Sequence, residues 1–358
     1  MSAVMFDKIA LICVGLIGGS IALEASKRGL AKHIVAATRS AETAALANKL
    51  KLADHCGTDL AAAVEGADLV IVCTPVGACG AGSDELLNLL VRGYAGPGDE
   101  LLHSQFGFLM YPINALGVGA TPVAAPETDY RADVDALLAK VSDKTRVVCL
   151  ANPNNPTGSY VTKDDVRRLQ AGLPKNVLLV IDAAYAEYVS RNDYESGVEL
   201  VDQAENVVMT RTFSKIYGMG GLRLGWMYGP AGIVDVISRL RQPFNVNLAA
   251  QAAGIAALED IAHTDASRTN NDIWLPWLSA ELAKLGLKPL PSVGNFVTVG
   301  FGSKERASAA NDWLMNDGLV PRMIAAYGLP EHIRITIGTE AEVKAVAASL
   351  ARFAAAGK

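Results

Sequence analysis

Four short segments hold the residues best able to do chemistry. "ANPNNPTG" (151–158) follows an apolar run and holds Asn155 in a proline turn, which suits one directed hydrogen bond. "VIDAAYAEY" (180–188) ends an apolar strand on Asp182, with Tyr185 just beyond. A carboxylate at such a place needs a cation or hydrogen bonds. "TRTFSKIYGMGGLRLGW" (210–226) sets Lys215 between hydroxyl residues and a glycine-rich turn that leads to Arg223. "GSDE" (82–85) opens a helix, whose free N–H groups at Ser83 and Asp84 can face an anion. Taken singly these are a turn, a strand end, a surface lysine and a helix cap.

Taken together they describe a pyridoxal phosphate site. The cofactor's aldehyde needs an amine, and Lys215 supplies it. Its ring nitrogen needs an anion to stay protonated and draw electrons, which is the part for Asp182. Its phenolic oxygen needs donors, here Asn155 and Tyr185. Its phosphate needs amides, hydroxyls and a guanidinium: Gly82, Ser83, Asp84, Thr212, Ser214 and Arg223. Its ring face needs a flat partner, and Phe106 in "SQFGF" fits. Lys215, Asp182 and Tyr185 are the expected catalytic residues.

Strands and helices must position these groups. "TRVVCL", "NVLLVID" and "NVVMTRT" read as buried strands, and "SDELLNLLVRGYA" and "ADVDALLAKV" as helices. Alternation of this kind implies parallel strands with crossover helices. Thr162 with Asp165, and Thr339 with Glu342, have the spacing of helix capping boxes. Beyond about residue 246 helices dominate, followed by the short strands "NFVTVGF" and "IRITIG", which suggests a smaller α+β domain.

The region resembles the fold-type I aminotransferases, and among them the histidinol-phosphate aminotransferases. "GSDELLNLL", "ANPNNPTG", "DAAYAEY", "TRTFSKIYGMGGLRLGW", "SVGNFVTV" and "YGLPEHIRITIGT" carry the likeness, in the family's order, over about residues 79–358. It implies that Arg334 clasps a substrate carboxylate, that Arg322 helps to hold a substrate phosphate, and that Asn295 lies on a strand near the site. It also implies a homodimer acting on a small-molecule amino donor and a 2-oxoacid.

The front of the chain is different. "CVGLIG" (13–18) nearly fits the glycine pattern that lets a pyrophosphate approach a helix N-terminus, with Cys13 where the first glycine belongs. The next strand ends in "ATRS", so Arg39 favours a 2′-phosphate, hence NADP, with Gly15 and Gly18 in the turn. "FDKIALICVGLIGGSIA", "TRSAET" and "EGADLVIVCTPVGA" resemble the N-terminal part of prephenate dehydrogenases over about residues 6–78, without that family's substrate domain. The expected domains are therefore 1–78, a partial Rossmann-like βαβ fragment; 79–262, a large α/β domain that binds pyridoxal phosphate; and 263–358, a small α+β domain. Residues 70–90, "VIVCTPVGACGAGSDELLNLL", read as a junction between two proteins. Aminotransferases of this family begin further upstream, so their first segment is replaced here. "DLVIVC" could then stand in for the strand that leads into the phosphate loop.

Bulk properties narrow the rest. A net charge of −5 argues against a nucleic-acid partner. Five cysteines, with apolar neighbours and no CxxC pair, point to reduced thiols in a cytoplasm and to no metal site. "IALICVGLIGGSIAL" is too short and too glycine-broken to span a membrane. His33, His55, His103, His263 and His332 read as surface or boundary residues with no catalytic part. The expected activity is transamination of histidinol phosphate with 2-oxoglutarate or glutamate. The alternatives are an aromatic amino-acid aminotransferase, or a fusion product that binds pyridoxal phosphate or NADP without turnover.

Overall fold

A computed structural model describes residues 4–12, 16–38, 40–72 and 78–357. Chain contacts divide the molecule into two compact units, Met1–Val76 and Gly77–Lys358.

The first unit alternates strand and helix: β1 (Phe6–Ile12), α1 (Leu16–Lys27), β2 (Ala31–Ala37), α2 (Ala41–Lys49), β3 (His55–Gly57), α3 (Leu60–Val64) and β4 (Leu69–Val72). The strands run parallel in the order β3-β2-β1-β4. Ile9, Leu11 and Ile34 bury against Ala22, Ala25, Ala44 and Ala47, small residues that let the helices sit close to the sheet. Ser40 caps α2, its hydroxyl accepting from the Thr43 N–H at 3.1 Å. Gly18 lies in the first turn of α1. Gly15 and Arg39 lie outside the described residues.

The second unit opens with β5 (Cys79–Gly80), α4 (Ser83–Tyr94), β6 (Glu100–Ser104), α5 (Met110–Gly117), β7 (Thr121–Ala125) and the small hairpin β8 (Glu127–Thr128) and β9 (Arg131–Ala132). Then come α6 (Val134–Lys140), β10 (Thr145–Ala151), α7 (Lys163–Gly172), β11 (Leu178–Asp182), α8 (Val198–Gln203), β12 (Val207–Thr212), β13 (Gly225–Tyr228), α9 (Ala231–Leu240) and α10 (Leu248–Glu259). Seven strands form one sheet, ordered β5-β13-β12-β11-β10-β6-β7. All its pairings are parallel except those of β13. Val147, Val148, Leu179 and Val180 are fully buried, as a parallel sheet covered on both faces requires. The strand that leads to the phosphate loop is β5, which pairs with β13. This corrects the expectation for "DLVIVC", whose strand β4 pairs with β1 in the other sheet. The first unit's strand has a parallel partner of its own, so it is not spare.

The chain ends with α11 (Ile261–Lys284), β14 (Lys288–Pro289), β15 (Phe296–Gly300), α12 (Lys304–Asn316), β16 (Arg322–Met323), β17 (His332–Thr336) and α13 (Glu340–Ala355). Their four-stranded antiparallel sheet, β14-β15-β17-β16, shares a core with the helices: Leu278, Leu282, Val297, Ile333, Leu350 and Phe353. Thr339 and Glu342 form the expected capping box of α13, and Thr162 caps α7. His103 and His332 are buried, contrary to the surface expectation. Each lies on a sheet strand, His103 on β6 and His332 on β17, where one face is core. No helix among the described residues is long and apolar enough to cross a membrane.

Candidate active site

Parallel sheets gather ligands at the carboxyl ends of their strands. Here β10 ends at Ala151 and runs into the Asn155 turn, β11 ends at Asp182, and β12 ends at Thr212 just before Lys215. One cavity at these ends is lined by Ser83, Asp84, Phe108, Ala151, Pro153, Asn155, Asp182, Ala184, Tyr185, Thr212, Ser214, Lys215 and Arg223. Residues from five separate segments thus meet in one place.

Asp182 sits at the floor, 5% exposed. Tyr111 donates its hydroxyl to Oδ2 at 3.0 Å and Thr210 donates to Oδ1 at 3.3 Å. Burial holds the carboxyl up, to about 6, although both hydroxyls and Lys215 pull it down. A cation beside this group would bring it down further. Tyr111 was not expected; within "LMYPI" it reads as core, and only the fold shows its hydroxyl reaching the aspartate. Burial and the neighbouring carboxylate push the Tyr111 phenol well above its usual range, so it acts as a donor.

The Lys215 ammonium lies 5.2 Å from the centre of the Tyr185 ring. Tyr185 meets Phe296 edge-on at 5.2 Å, and the Arg334 guanidinium lies 4.9 Å from the Phe296 ring. A continuous aromatic wall therefore runs from the lysine to the arginine. Arg334 donates to the side-chain oxygen of Asn155, while its Nε is buried without a partner among the described residues. An unpaired buried guanidinium N–H is costly and marks a place for an acceptor. Arg322 is exposed and stands directly across from Arg334 in the β16–β17 ladder. Cross-strand partners share a face, and both guanidiniums bear on the Tyr327 hydroxyl, which burial raises and they lower.

The phosphate end is a tight cradle. Gly82 precedes α4 with φ 90°, a conformation that favours glycine. A Cβ there would come within 3.0 Å of Arg223 Cζ, and one at Gly225 within 2.6 Å of the Gly82 carbonyl carbon. Arg223 itself adopts φ 58° and donates to Ser214 Oγ at 3.3 Å, to the Gly220 carbonyl at 3.0 Å and to Asp84 at 3.3 Å. Strained backbone with a guanidinium held over a helix N-terminus suits an anion.

Phe106 does not line the cavity. Its ring stacks on Tyr130 at 5.8 Å, its N–H donates to Glu127 and its carbonyl accepts from Asn154. Phe108 is the aromatic residue of that loop on the cavity wall. Asn295 is engaged elsewhere, its side chain bonded to the Tyr188 hydroxyl and its carbonyl to the Ile337 N–H.

The residues fit pyridoxal phosphate: a buried carboxylate that makes no ion pair among the described residues, an amine on the same cavity, and an anion cradle that two glycines keep open. The sequence profile described as aminotransferase class I and II matches residues 63–350. A second profile, NADP oxidoreductase, coenzyme F420-dependent, matches residues 8–88. The chain is 55% identical over 280 residues to histidinol-phosphate aminotransferase from Paramagnetospirillum magneticum, covering 78% of this chain and 77% of that one. It is 55% identical over 273 residues to that of Rhodospirillum centenum, covering 76% and 75%. The crystal structure of histidinol-phosphate aminotransferase from Sinorhizobium meliloti with pyridoxal-5′-phosphate superposes with a TM-score of 0.74 at 33% identity, over 79% of this chain and 78% of that one. The chain belongs to the class I and II aminotransferases, enzymes that depend on pyridoxal phosphate. Within that class it groups with the histidinol-phosphate aminotransferases, joined to an N-terminal piece of dehydrogenase-like, Rossmann type.

Proposed function

We infer that the chain transaminates histidinol phosphate with 2-oxoglutarate or glutamate as the partner pair, in histidine biosynthesis. The observation that carries the substrate is the Arg322–Arg334 pair on one face of the small sheet. Histidinol phosphate bears a phosphate and no carboxylate, so a second guanidinium beside Arg334 serves a group that an aromatic amino acid lacks.

Bound pyridoxal phosphate supplies an aldehyde carbon to take the amino group and a ring that draws electrons from the substrate Cα. The protein supplies the rest. Lys215, the amine on the cavity wall, would hold the cofactor's aldehyde end and would carry a proton to and from the substrate Cα as general base and acid. Asp182, fixed by Tyr111 and Thr210, would serve the cofactor's ring nitrogen and keep it protonated. Asn155 and Tyr185 donate to the phenolic oxygen, and Gly82, Ser83, Asp84, Thr212, Ser214 and Arg223 hold the phosphate. Arg334 leaves Asn155 to clasp a carboxylate, and Arg322 takes the phosphate of the other substrate. The flat partner for the ring would come from the Phe106–Phe108 loop, of which Phe108 lines the cavity.

The domain division that fits this reading is 1–78, 79–262 and 263–358, with a homodimer in the cytoplasm as the working form. A second reading concerns the front unit alone: it binds NADP without hydride transfer. The all-parallel β3-β2-β1-β4 order and the oxidoreductase profile support it. Steady-state assay separates the substrates: histidinol phosphate should exceed phenylalanine and tyrosine in kcat/KM. Preference for an aromatic amino acid would overturn the substrate assignment.

A further inference from the structure

Behind the site lies a buried ion pair that the reaction does not use directly. Glu187 belongs to the short 3₁₀ turn Ala186–Tyr188, just beyond Tyr185. Its side chain is 10% exposed and that of Arg211 is 16% exposed. Arg211 donates to Glu187 Oε1 from Nε at 3.1 Å and from a terminal nitrogen at 2.7 Å. Arg211 also faces Trp226 across the β12–β13 ladder, with its guanidinium 5.7 Å from the indole centre. A second arginine grips the same residue from another element: Arg268 of α11 donates Nε to the Glu187 carbonyl at 3.0 Å. Asp265 holds Arg268 in turn at 2.9 Å.

This arrangement is a poor device for stability. Stripping water from two charges costs about what their attraction returns, and packed apolar side chains often serve as well. Glu187 Oε2 also has no partner among the described residues. What the pair does supply is direction. Successive side chains on a strand point to opposite faces. Thr210 and Thr212 of β12 serve the cavity, while Arg211 between them reaches behind to Glu187. The strand that leads to Lys215 is thereby tied to the turn that carries Tyr185.

We propose that Glu187, fixed by Arg211 and Arg268, is a positioning residue that sets the Tyr185 ring against Lys215. The assignment rests on the pyridoxal phosphate reading of the cavity. Among the described residues the Tyr185 ring itself meets Phe296 edge-on and the Lys215 ammonium over its face, while the turn just beyond it is tied down by Glu187. A shift of the turn would move its hydroxyl relative to the cofactor without emptying the site.

The test compares the wild-type holoenzyme with the double variant Glu187→Met/Arg211→Met and the single variant Arg211→Lys. The readouts are thermal midpoint, visible circular dichroism of the bound cofactor, and kcat and KM taken separately. The double variant should melt at or above the wild-type temperature and keep KM within about twofold, while kcat falls about tenfold or more and the visible dichroism changes in amplitude. Arg211→Lys, which keeps the charge but loses the fork, should lie between the two. In the cofactor-free protein, amide exchange at Tyr188 and Val189 should quicken in the double variant. A double variant with wild-type kcat and dichroism would overturn the proposal, and so would one that melts far below wild type, since the pair would then be merely structural. Wild-type protein that gives no lysine-dependent absorbance with pyridoxal phosphate is a different failure, that of the parent reading. The exchange comparison then decides the positioning claim by itself, and unchanged exchange rejects it.

Discussion

The two units of this molecule use the same construction and reach different ends. Both lay parallel strands in a row and alternate them with helices. The first unit offers one local motif, a short glycine turn and an arginine one strand later. The second offers five segments, separated by tens to more than a hundred residues, that close on a single cavity. A local motif can persist because the turn itself is useful. Side chains brought together from distant segments have no such local reason, and this is why the chemistry of the second unit carries more weight.

Several substitutions sharpen that contrast, beginning with the most damaging. Lys215→Ala should lower turnover by roughly 10⁴-fold, the upper range for a positioned acid–base group, and remove the lysine-dependent visible absorbance. Turnover that survives would break the mechanism. Asp182→Asn should cost roughly 10²- to 10³-fold in kcat while the protein still takes up pyridoxal phosphate. Arg334→Lys should raise KM for glutamate by roughly 10- to 100-fold, with a smaller change in kcat, because the fork that matches a carboxylate is lost.

Asp182 also predicts a pH signature in the cofactor-free protein. Its carboxyl stands at about 6 in the folded state against 3.8 ordinarily. The folded state therefore holds this proton more tightly than the unfolded state does. Its contribution to stability is greatest below the ordinary value and is lost as pH rises from about 4 through 6. The loss amounts to about 3 kcal/mol. Asp182→Asn should flatten that part of the profile, and urea unfolding at a series of pH values measures it. The smallest expected effect belongs to the front unit. NADPH fluorescence should report weak binding that Arg39→Ala abolishes, with the transamination rate unchanged. A rate that follows NADPH would erase the contrast between the units.

Much of this was legible in the sequence because it is written in short segments. Asp182, Lys215, Asn155 and Arg223 each end or follow an apolar strand, and strand ends are where a parallel sheet gathers its ligands. The capping box of α13 and the Thr162 cap of α7 were legible from spacing alone. Tyr111 was not, since a tyrosine inside an apolar helix looks like core until the fold aims its hydroxyl at Asp182. Phe106 and Phe108 flank one glycine in the same loop, and spacing does not show that Phe108 lines the cavity while Phe106 stacks on Tyr130. The strand beside the phosphate loop was misassigned because "DLVIVC" is the more apolar run, whereas β5 is two residues long and pairs with β13 at the sheet edge. The two profile matches overlap between residues 63 and 88, where the sequence itself reads as a junction.

The most direct measurement is a visible absorption spectrum of the purified full chain with pyridoxal phosphate, before and after L-histidinol phosphate is added. The account predicts a lysine-dependent band that converts to the cofactor's amine form on addition and returns with 2-oxoglutarate. A band that ignores histidinol phosphate and glutamate alike, or no band at all, would contradict it.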